Sequence, residues 1–328
     1  MYFSTLTSLA FACKTAFTVP TSDRAANLPL PVRTIFQFDE TVPNSWFENI
    51  ALRRNGDLLP LSGSPKVSII NVDDANGILG IVETTPDVFA VVAGKFSGLA
   101  VPVAGTMAVW EVDFRRSEPT TRLVTKMPEA GLLNGVTTAS SCSLPVILVA
   151  DNGISRVWRV DLQTGRYETA AEVPEMKSVP NATLPLGING VRAHGEHLYF
   201  NNSNLASIFR LSVDERGVVA KNTAAELVAK LDADFIDDFI VDEDGKFWVT
   251  TNSGNTVVVA ETGSDGVVVA GAPTELTVAG NTALALGRGS NIDKNIVYAV
   301  TGGIINRPVN GTVAESAKVV AIDRTGFK

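Results

Sequence analysis

The sequence predicts an all-β fold, a six-bladed β-propeller of four-stranded antiparallel blades, with the ring closed by an N-terminal strand in the last blade. Three observations carry this. A polar residue recurs at the mouth of a hydrophobic strand, in Glu48-Asn49-Ile50, Asn134-Gly135-Val136, Asn189-Gly190-Val191, Asp237-Asp238-Phe239 and Asn281-Thr282-Ala283, and Leu79-Gly80-Ile81 fits the frame without the polar group. Each site is followed by two further apolar strands, such as 146–150 and 155–161, or 247–250 and 256–260. Repeats of roughly 40–50 residues built from short strands are the mark of propeller blades. Third, 328 residues with 45% hydrophobic content and 27 glycines suit one closed ring with a large core and many turns.

The elements follow in order. Residues 1–18 read as a secretory leader, apolar over Leu6 to Ala12 but without a basic residue ahead of that core, and residues 19–328 as a single propeller. The proline-rich stretch 18–31 reads as a strap. Residues 32–38 alternate and are expected in the last blade beside 318–323, because pairing the two ends removes the open edges. The blades are expected at 48–72, with Arg54-Asn55-Gly56-Asp57 as hairpin turn, then at 78–113, 133–167, 188–213, 237–260 and 281–323. The connections 168–187 and 214–236 read as long loops, with a helical turn over 227–231. Long loops on one face are expected to wall a pocket.

Charge and cysteines narrow the setting. A net charge of −8 without a basic stretch argues against nucleic acid and anionic membranes as partners, and no apolar run is long enough for a membrane helix. Passage through the secretory pathway is expected from the leader, and three sequons, at Asn181, Asn201 and Asn310, are compatible with it. Cys13 and Cys142 are the only two cysteines and the only candidate bridge. Oligomeric state is not readable from the residues.

Familiar hydrolase machinery is missing. The only histidines, His194 and His197, sit in a hairpin-turn pattern, and there is no Gly-x-Ser-x-Gly elbow. Gly287-Arg288-Gly289 lies in a loop of a β pattern, and Asp242-Glu243-Asp244-Gly245 reads as a turn rather than a calcium loop. The anchors are the chemical candidates. Glu48, Asn134, Asn189 and Asp237 would bring two carboxylates and two amides to one axial point. Such a set either holds a hard cation, calcium or magnesium, or satisfies backbone groups at the channel mouth.

The four anchors resemble the metal site of the senescence-marker-protein/gluconolactonase family of six-bladed propellers. Glu48 matches the glutamate of its first blade. Asn189 in Ile188-Asn189-Gly190-Val191 and Asp237 in Ile236-Asp237-Asp238-Phe239 match its asparagine and aspartate ligands. Asn134 in Leu132-Leu133-Asn134-Gly135 matches its substrate-side asparagine. The resemblance implies Glu48, Asn189 and Asp237 as ligands of a divalent cation. Where the family has an arginine beside the substrate-side asparagine, this chain has Leu132 or Leu133, and the surroundings are more apolar than a sugar-acid lactonase requires. Trp46-Phe47-Glu48-Asn49-Ile50, Leu-Leu-Asn-Gly, Ile-Asn-Gly-Val and Asp-Asp-Phe together are more similar to a fungal branch of the family, some of whose members look like the hetero-Diels–Alderases of tropolone–sesquiterpenoid biosynthesis. That resemblance implies a pericyclase that joins a quinone methide to a terpene olefin and needs no cofactor. Asn134, Asn281 and Asp237 are then the expected catalytic groups, and Trp46, Phe47, Asn134 and Asn189 the expected contacts of a small, largely apolar substrate. A metal-dependent lactonase and a non-catalytic small-molecule-binding propeller are the competing readings.

Overall fold

The computed structural model describes residues 27–39, 45–62, 72–98, 101–139, 145–214, 216–220, 223–288, 293–303 and 308–328. The expected leader 1–18 and both cysteines, Cys13 and Cys142, lie outside these residues.

The chain folds as an all-β propeller of antiparallel sheets, with the short 3-10 turn Pro174–Met176 as its one helical element among the described residues. Four sheets each take four strands in simple succession. They are Gly77–Thr85, Val88–Gly94, Ala108–Asp113 and Thr120–Lys126; Leu133–Thr138, Val146–Asp151, Arg156–Asp161 and Tyr167–Ala171; Ile188–His194, His197–Asn202, Ser207–Ser212 and Glu226–Lys230; and Phe239–Val241, Phe247–Thr250, Thr256–Ala260 and Val267–Gly271. A fifth is built from Asn281–Leu286, Ile296–Thr301 and Lys318–Asp323, and Val32–Gln37 completes it by pairing antiparallel to Lys318–Asp323. This is the closure expected from the alternating N-terminal segment.

Between the fifth sheet and the first lies the hairpin Phe47–Leu52 with Leu58–Ser62, the part of the first repeat that is described. Its turn is the expected one: Gly56 takes a positive φ of 91° and Asn55 Nδ2 donates to Asp57 Oδ2 at 2.7 Å. The innermost strands follow one another around a closed circle, the hairpin touching both Asn281–Leu286 and Gly77–Thr85.

The core sits between neighbouring sheets rather than inside any one of them. Leu79, Val92 and Met107 of one sheet meet Leu133, Ile147 and Trp158 of the next. Phe47 and Ile50 meet Val300 and Val319 across the closing interface. Strands that bury both faces read as near-continuous apolar runs, as in Val88–Gly94, which is buried throughout.

Three expectations are corrected. Residues 227–231 are not a helical turn: Glu226–Lys230 is the outer strand of its sheet, paired with Ser207–Ser212. The reading of 168–187 and 214–236 as loops missed two outer strands for the same reason. An outer strand faces water on most of its surface, as Thr120–Lys126 does, and therefore lacks the apolar alternation that reveals inner strands. Asn201 is also corrected as a glycan acceptor. It is fully buried, donating to Asp237 O at 3.0 Å and accepting from Gly190 N at 2.7 Å, whereas Asn181 and Asn310 are exposed.

Candidate functional site

Almost every innermost strand carries a β-bulge at its anchor. Pairing shifts between Phe47 and Asn49, Ile78 and Gly80, Leu133 and Val136, Ile188 and Val191, and Asn281 and Ala283. A bulge re-aims the extra residue, and here it turns that side chain toward the axis. The result is one cavity of about 630 Å³ whose lining includes Glu48, Leu79, Asn134, Asn189, Asp237 and Thr282. The glycine after an anchor serves the same arrangement. A Cβ on Gly80 would fall 2.0 Å from Asn134 O, and one on Gly135 would fall 2.6 Å from Asn189 O, so only glycine lets successive inner strands approach this closely.

Two expected site residues are placed elsewhere, by one physical cause. Phe47 and Asn281 each sit one position before the bulged residue, and one step along a strand turns a side chain to the other face. Phe47 is 2% exposed and stacks in the core, its ring centroid 4.9 Å from that of Phe38. Asn281 donates to Val278 O at 2.8 Å and Thr256 O at 3.0 Å, and accepts from Asn252 N at 3.0 Å. The cavity takes Thr282 instead, the true counterpart of Asn134 and Asn189. Trp46 does line the cavity, its indole packed against Gly302.

The floor holds two carboxylates among amides. Asn134 Nδ2 donates to Glu48 Oε1 at 3.1 Å, and Trp46 also hydrogen-bonds Glu48. Asn189 Nδ2 donates to Asp237 Oδ1 at 2.7 Å and to Ser203 Oγ at 3.2 Å. Asn252 Nδ2 donates to Asp237 Oδ2 at 2.6 Å. Burial pushes Asp237 up to about 7; the Asn252 bond opposes this, the Asp238 charge adds to it, and the Asn189 bond opposes it again. Glu48 is held well above the usual carboxylate range, first by burial and then by the charge of Asp237. Arg192, which could offset this charge, is spent on Asp238 at 2.8 Å.

Carboxylate and amide oxygens are the donor types that a hard cation takes. Among the described residues Glu48 and Asp237 have no ion-pair partner, and no group of three or more His, Cys, Asp or Glu side chains is gathered to hold a metal. A cation would therefore rest on these two carboxylates and on the amide oxygen of Asn189.

Several further cavity residues escaped the sequence reading, Asn152 and Asn252 among them. Asn252 and Asn152 each stand just past the end of the second strand of their sheet, and both line the cavity. The signal was there: residues just past four of the second strands, Asn152, Asn204, Asn252 and Gly302, line the cavity as the anchors do. Asn152 is 5% exposed, and neither Oδ1 nor Nδ2 has a partner within the protein. Leaving a buried polar group unpaired costs on the order of 1–3 kcal/mol. Leu132, Leu184, Leu186 and Phe235 supply the apolar wall, so the expectation that inter-blade segments shape the pocket holds for the stretch 183–186.

No family model matches the chain. A protein named "Putative hetero-Diels-Alderase asR5" from Sarocladium schorii is 30% identical over 354 residues, an alignment that covers 93% of this chain and 86% of that one. A second, named "Putative hetero-Diels-Alderase", from a Phoma species, is 29% identical over 351 residues, covering 94% and 96%. Among solved structures, a luciferin-regenerating enzyme superposes with a TM-score of 0.61 at 13% identity, over 91% of this chain and 97% of that one. A streptogramin B lyase superposes with a TM-score of 0.51 at 12% identity, over 90% and 97%. Likeness at such identities shows the fold alone.

Proposed function

Because the chain belongs to the family of the proteins named putative hetero-Diels–Alderases, we propose that it binds a quinone methide and an olefin together in the axial cavity and steers their cycloaddition. In that reaction the conjugated C=C–C=O unit of the quinone methide supplies four π electrons and the olefin two. One C–C and one C–O bond form, the ring regains aromaticity, and no atom leaves. Nothing in the step requires a nucleophile or a proton shuttle. Positioning is what it requires, and holding two reactants in a near-attack pose can supply up to roughly 7–11 kcal/mol.

The observation that carries this reading is the cavity itself. At about 630 Å³ it lies in the range of ligand sites, and its wall of Trp46, Leu79, Leu132, Leu184, Leu186 and Phe235 suits two apolar partners. The polar floor supplies orientation. We count the hairpin Phe47–Leu52 with Leu58–Ser62 as the first of six blades, which places one bulge or anchor per blade around the axis.

A second reading is kept for one observation: Glu48 and Asp237 are buried, close in charge, and without a cationic partner. Glu48, Asn189 and Asp237 would hold a divalent cation, which supplies carbonyl polarisation and an activated water for lactone hydrolysis. Under either reading the chain's own part is to present the two carboxylates, to fix them with Asn134, Asn189 and Asn252, and to keep water from the apolar wall.

The test pairs a quinone methide precursor and a cyclic olefin with a panel of lactones, each assayed with and without chelator. Cycloaddition that is faster or more stereoselective than the background, and indifferent to chelator, is the expected result. Chelator-sensitive lactone hydrolysis with no effect on cycloaddition would overturn the first reading in favour of the second.

A further inference from the structure

The cavity is unequal around its circle. The innermost strands Gly77–Thr85, Leu133–Thr138 and Ile188–His194 are neighbours. With the segments that lead into them, they bring Leu79, Leu132, Leu184 and Leu186 to the lining. Leu184 is exposed and Leu186 half-buried, so both offer surface to a ligand. Asn281–Leu286 lies across the ring from Leu133–Thr138, between Phe47–Leu52 and Phe239–Val241. The sheet it belongs to, with the residue that leads into it, gives the lining only Gly280, Thr282 and Gly302.

Gly302 sets this sector apart. Just past their second strands, three other sheets line the cavity with an asparagine, Asn152, Asn204 and Asn252, and here the side chain is missing. Gly280 takes a positive φ of 65°, which favours glycine, whereas Gly302 is outside that region and its backbone does not require one. Space does. A Cβ on Gly302 would fall 3.0 Å from Trp46 Cδ1 and 3.3 Å from Trp46 Nε1, both tighter than ordinary contact. A larger side chain would have to displace the indole or fill the cavity beside it. Trp46 is half-buried, lines the same cavity, and also packs against the cluster that holds Leu79 and Leu132. It therefore stands between the bare sector and the leucines.

We propose that Gly302 is the specificity-determining residue of the cavity. It keeps room beside Trp46 for a planar, unsaturated ring, while the leucine side takes a bulky aliphatic partner. A flat ring gains from an aromatic neighbour through stacked or edge-on contact, and it needs a narrow gap, which a missing side chain leaves. A puckered aliphatic ring has no such preference and gains by buried area, which several leucine side chains supply. Sorting the two is also what a reaction between unlike partners requires, since each is held by the surface that suits it and the reacting faces meet between them. This rests on the reading of the cavity as the substrate site, and it adds which partner lies where and which residue decides it.

The probes are naphthol, planar and aromatic, and adamantanol, globular and aliphatic, titrated into the full chain by calorimetry. The wild type should bind both at once, each with an affinity changed less than about twofold by saturation with the other. Gly302→Val keeps the backbone bond from Gly302 N to Gly280 O, and should weaken naphthol roughly tenfold and adamantanol less than about twofold. Trp46→Leu removes the aromatic ring and adds no bulk, and should lose naphthol selectively as well, so the test holds even where Gly302→Val fails to fold. Leu186→Asn should show the reverse preference. The proposal is overturned if the two probes compete in the wild type or if either fails to bind. It is also overturned if folded Gly302→Val or Trp46→Leu binds naphthol as the wild type does, or weakens both probes alike. Cycloaddition absent from the wild type, with the sorting intact, removes the pericyclase reading and leaves this one standing. Cycloaddition present, with competing probes, does the reverse.

Discussion

Asp151, at the end of the second strand of its sheet, and Asp237, on the cavity floor, are both buried carboxylates, and their surroundings have little in common. Asp151 accepts from three backbone N–H groups and from Trp158 Nε1 at 2.9 Å, so its charge is caged by fixed dipoles that belong to its own sheet. Asp237 has only side-chain amides from Asn189 and Asn252, a second acid beside it in sequence, and another, Glu48, facing the same cavity. Asp242 repeats the first pattern, with Trp248 Nε1 at 2.9 Å and two backbone donors from its turn. A carboxylate surrounded by backbone donors holds loops together. A carboxylate surrounded by amides and other acids keeps an unmet demand for positive charge.

The largest effect that tests this contrast is Asp151→Ala. It leaves several buried donors unpaired at once and should lower stability by about 3–5 kcal/mol in urea unfolding. A loss under about 1 kcal/mol would break the comparison on its structural side.

Next comes pH. Asp237 has a folded pKa raised from 3.8 to about 7, so the folded state holds its proton more tightly than the unfolded state. Stability is therefore full below pH 4 as far as this group is concerned, and falls as pH rises from about 4 to 7. Thermal unfolding between pH 5 and pH 8 should show a decline of at least about 2–3 kcal/mol, smaller in Asp237→Asn, where buried Glu48 still contributes. Calcium or magnesium added at pH 8 should restore the wild type and leave Asp237→Asn unmoved. A rise in stability across that interval would mean that the charge is compensated from within the protein.

Asn281→Ala sharpens the comparison at lower cost. Asn281 belongs with Asp151 as a structural polar group, so its loss should destabilise by about 2 kcal/mol and change ligand affinity less than twofold. A selective loss of binding at unchanged stability would return Asn281 to the cavity. The smallest effect is expected at Leu184, which is 52% exposed at the cavity rim. Leu184→Ala should stay within about 0.5 kcal/mol in stability, with only a few-fold loss in affinity for an apolar ligand, measured by titration.

Where the residues announced the fold, they did so through burial. Inner and middle strands were legible because both faces are covered, and Val32–Gln37 because its residues alternate along the chain and the ring needs a strand to close it, although the strand itself is largely exposed. The outer strands were not, since water covers them and their composition resembles that of loops. At the site, Glu48, Asn134, Asn189 and Asp237 were legible as anchors. Phe47 and Asn281 were misread because the bulge that selects the cavity-facing residue is a property of pairing, and a single position separates core from cavity. Asn152 and Asn252 were missed because attention stayed on first strands, although the ends of second strands reach the same depth.

The pairing of Val32–Gln37 with Lys318–Asp323 bears on how the protein is made. A ribosome adds roughly 5–20 residues each second, and segments generally fold as they emerge. Early sheets can form one by one, but the last sheet needs one of the first strands and one of the last. The segment 32–37 must therefore wait, unpaired, while nearly all the rest is synthesised, and such distant partners meet slowly. Until they do, the inner strands form an open arc whose two ends expose apolar faces. The ring is complete only once translation has passed residue 323, so its last sheet is the one part that cannot form during synthesis.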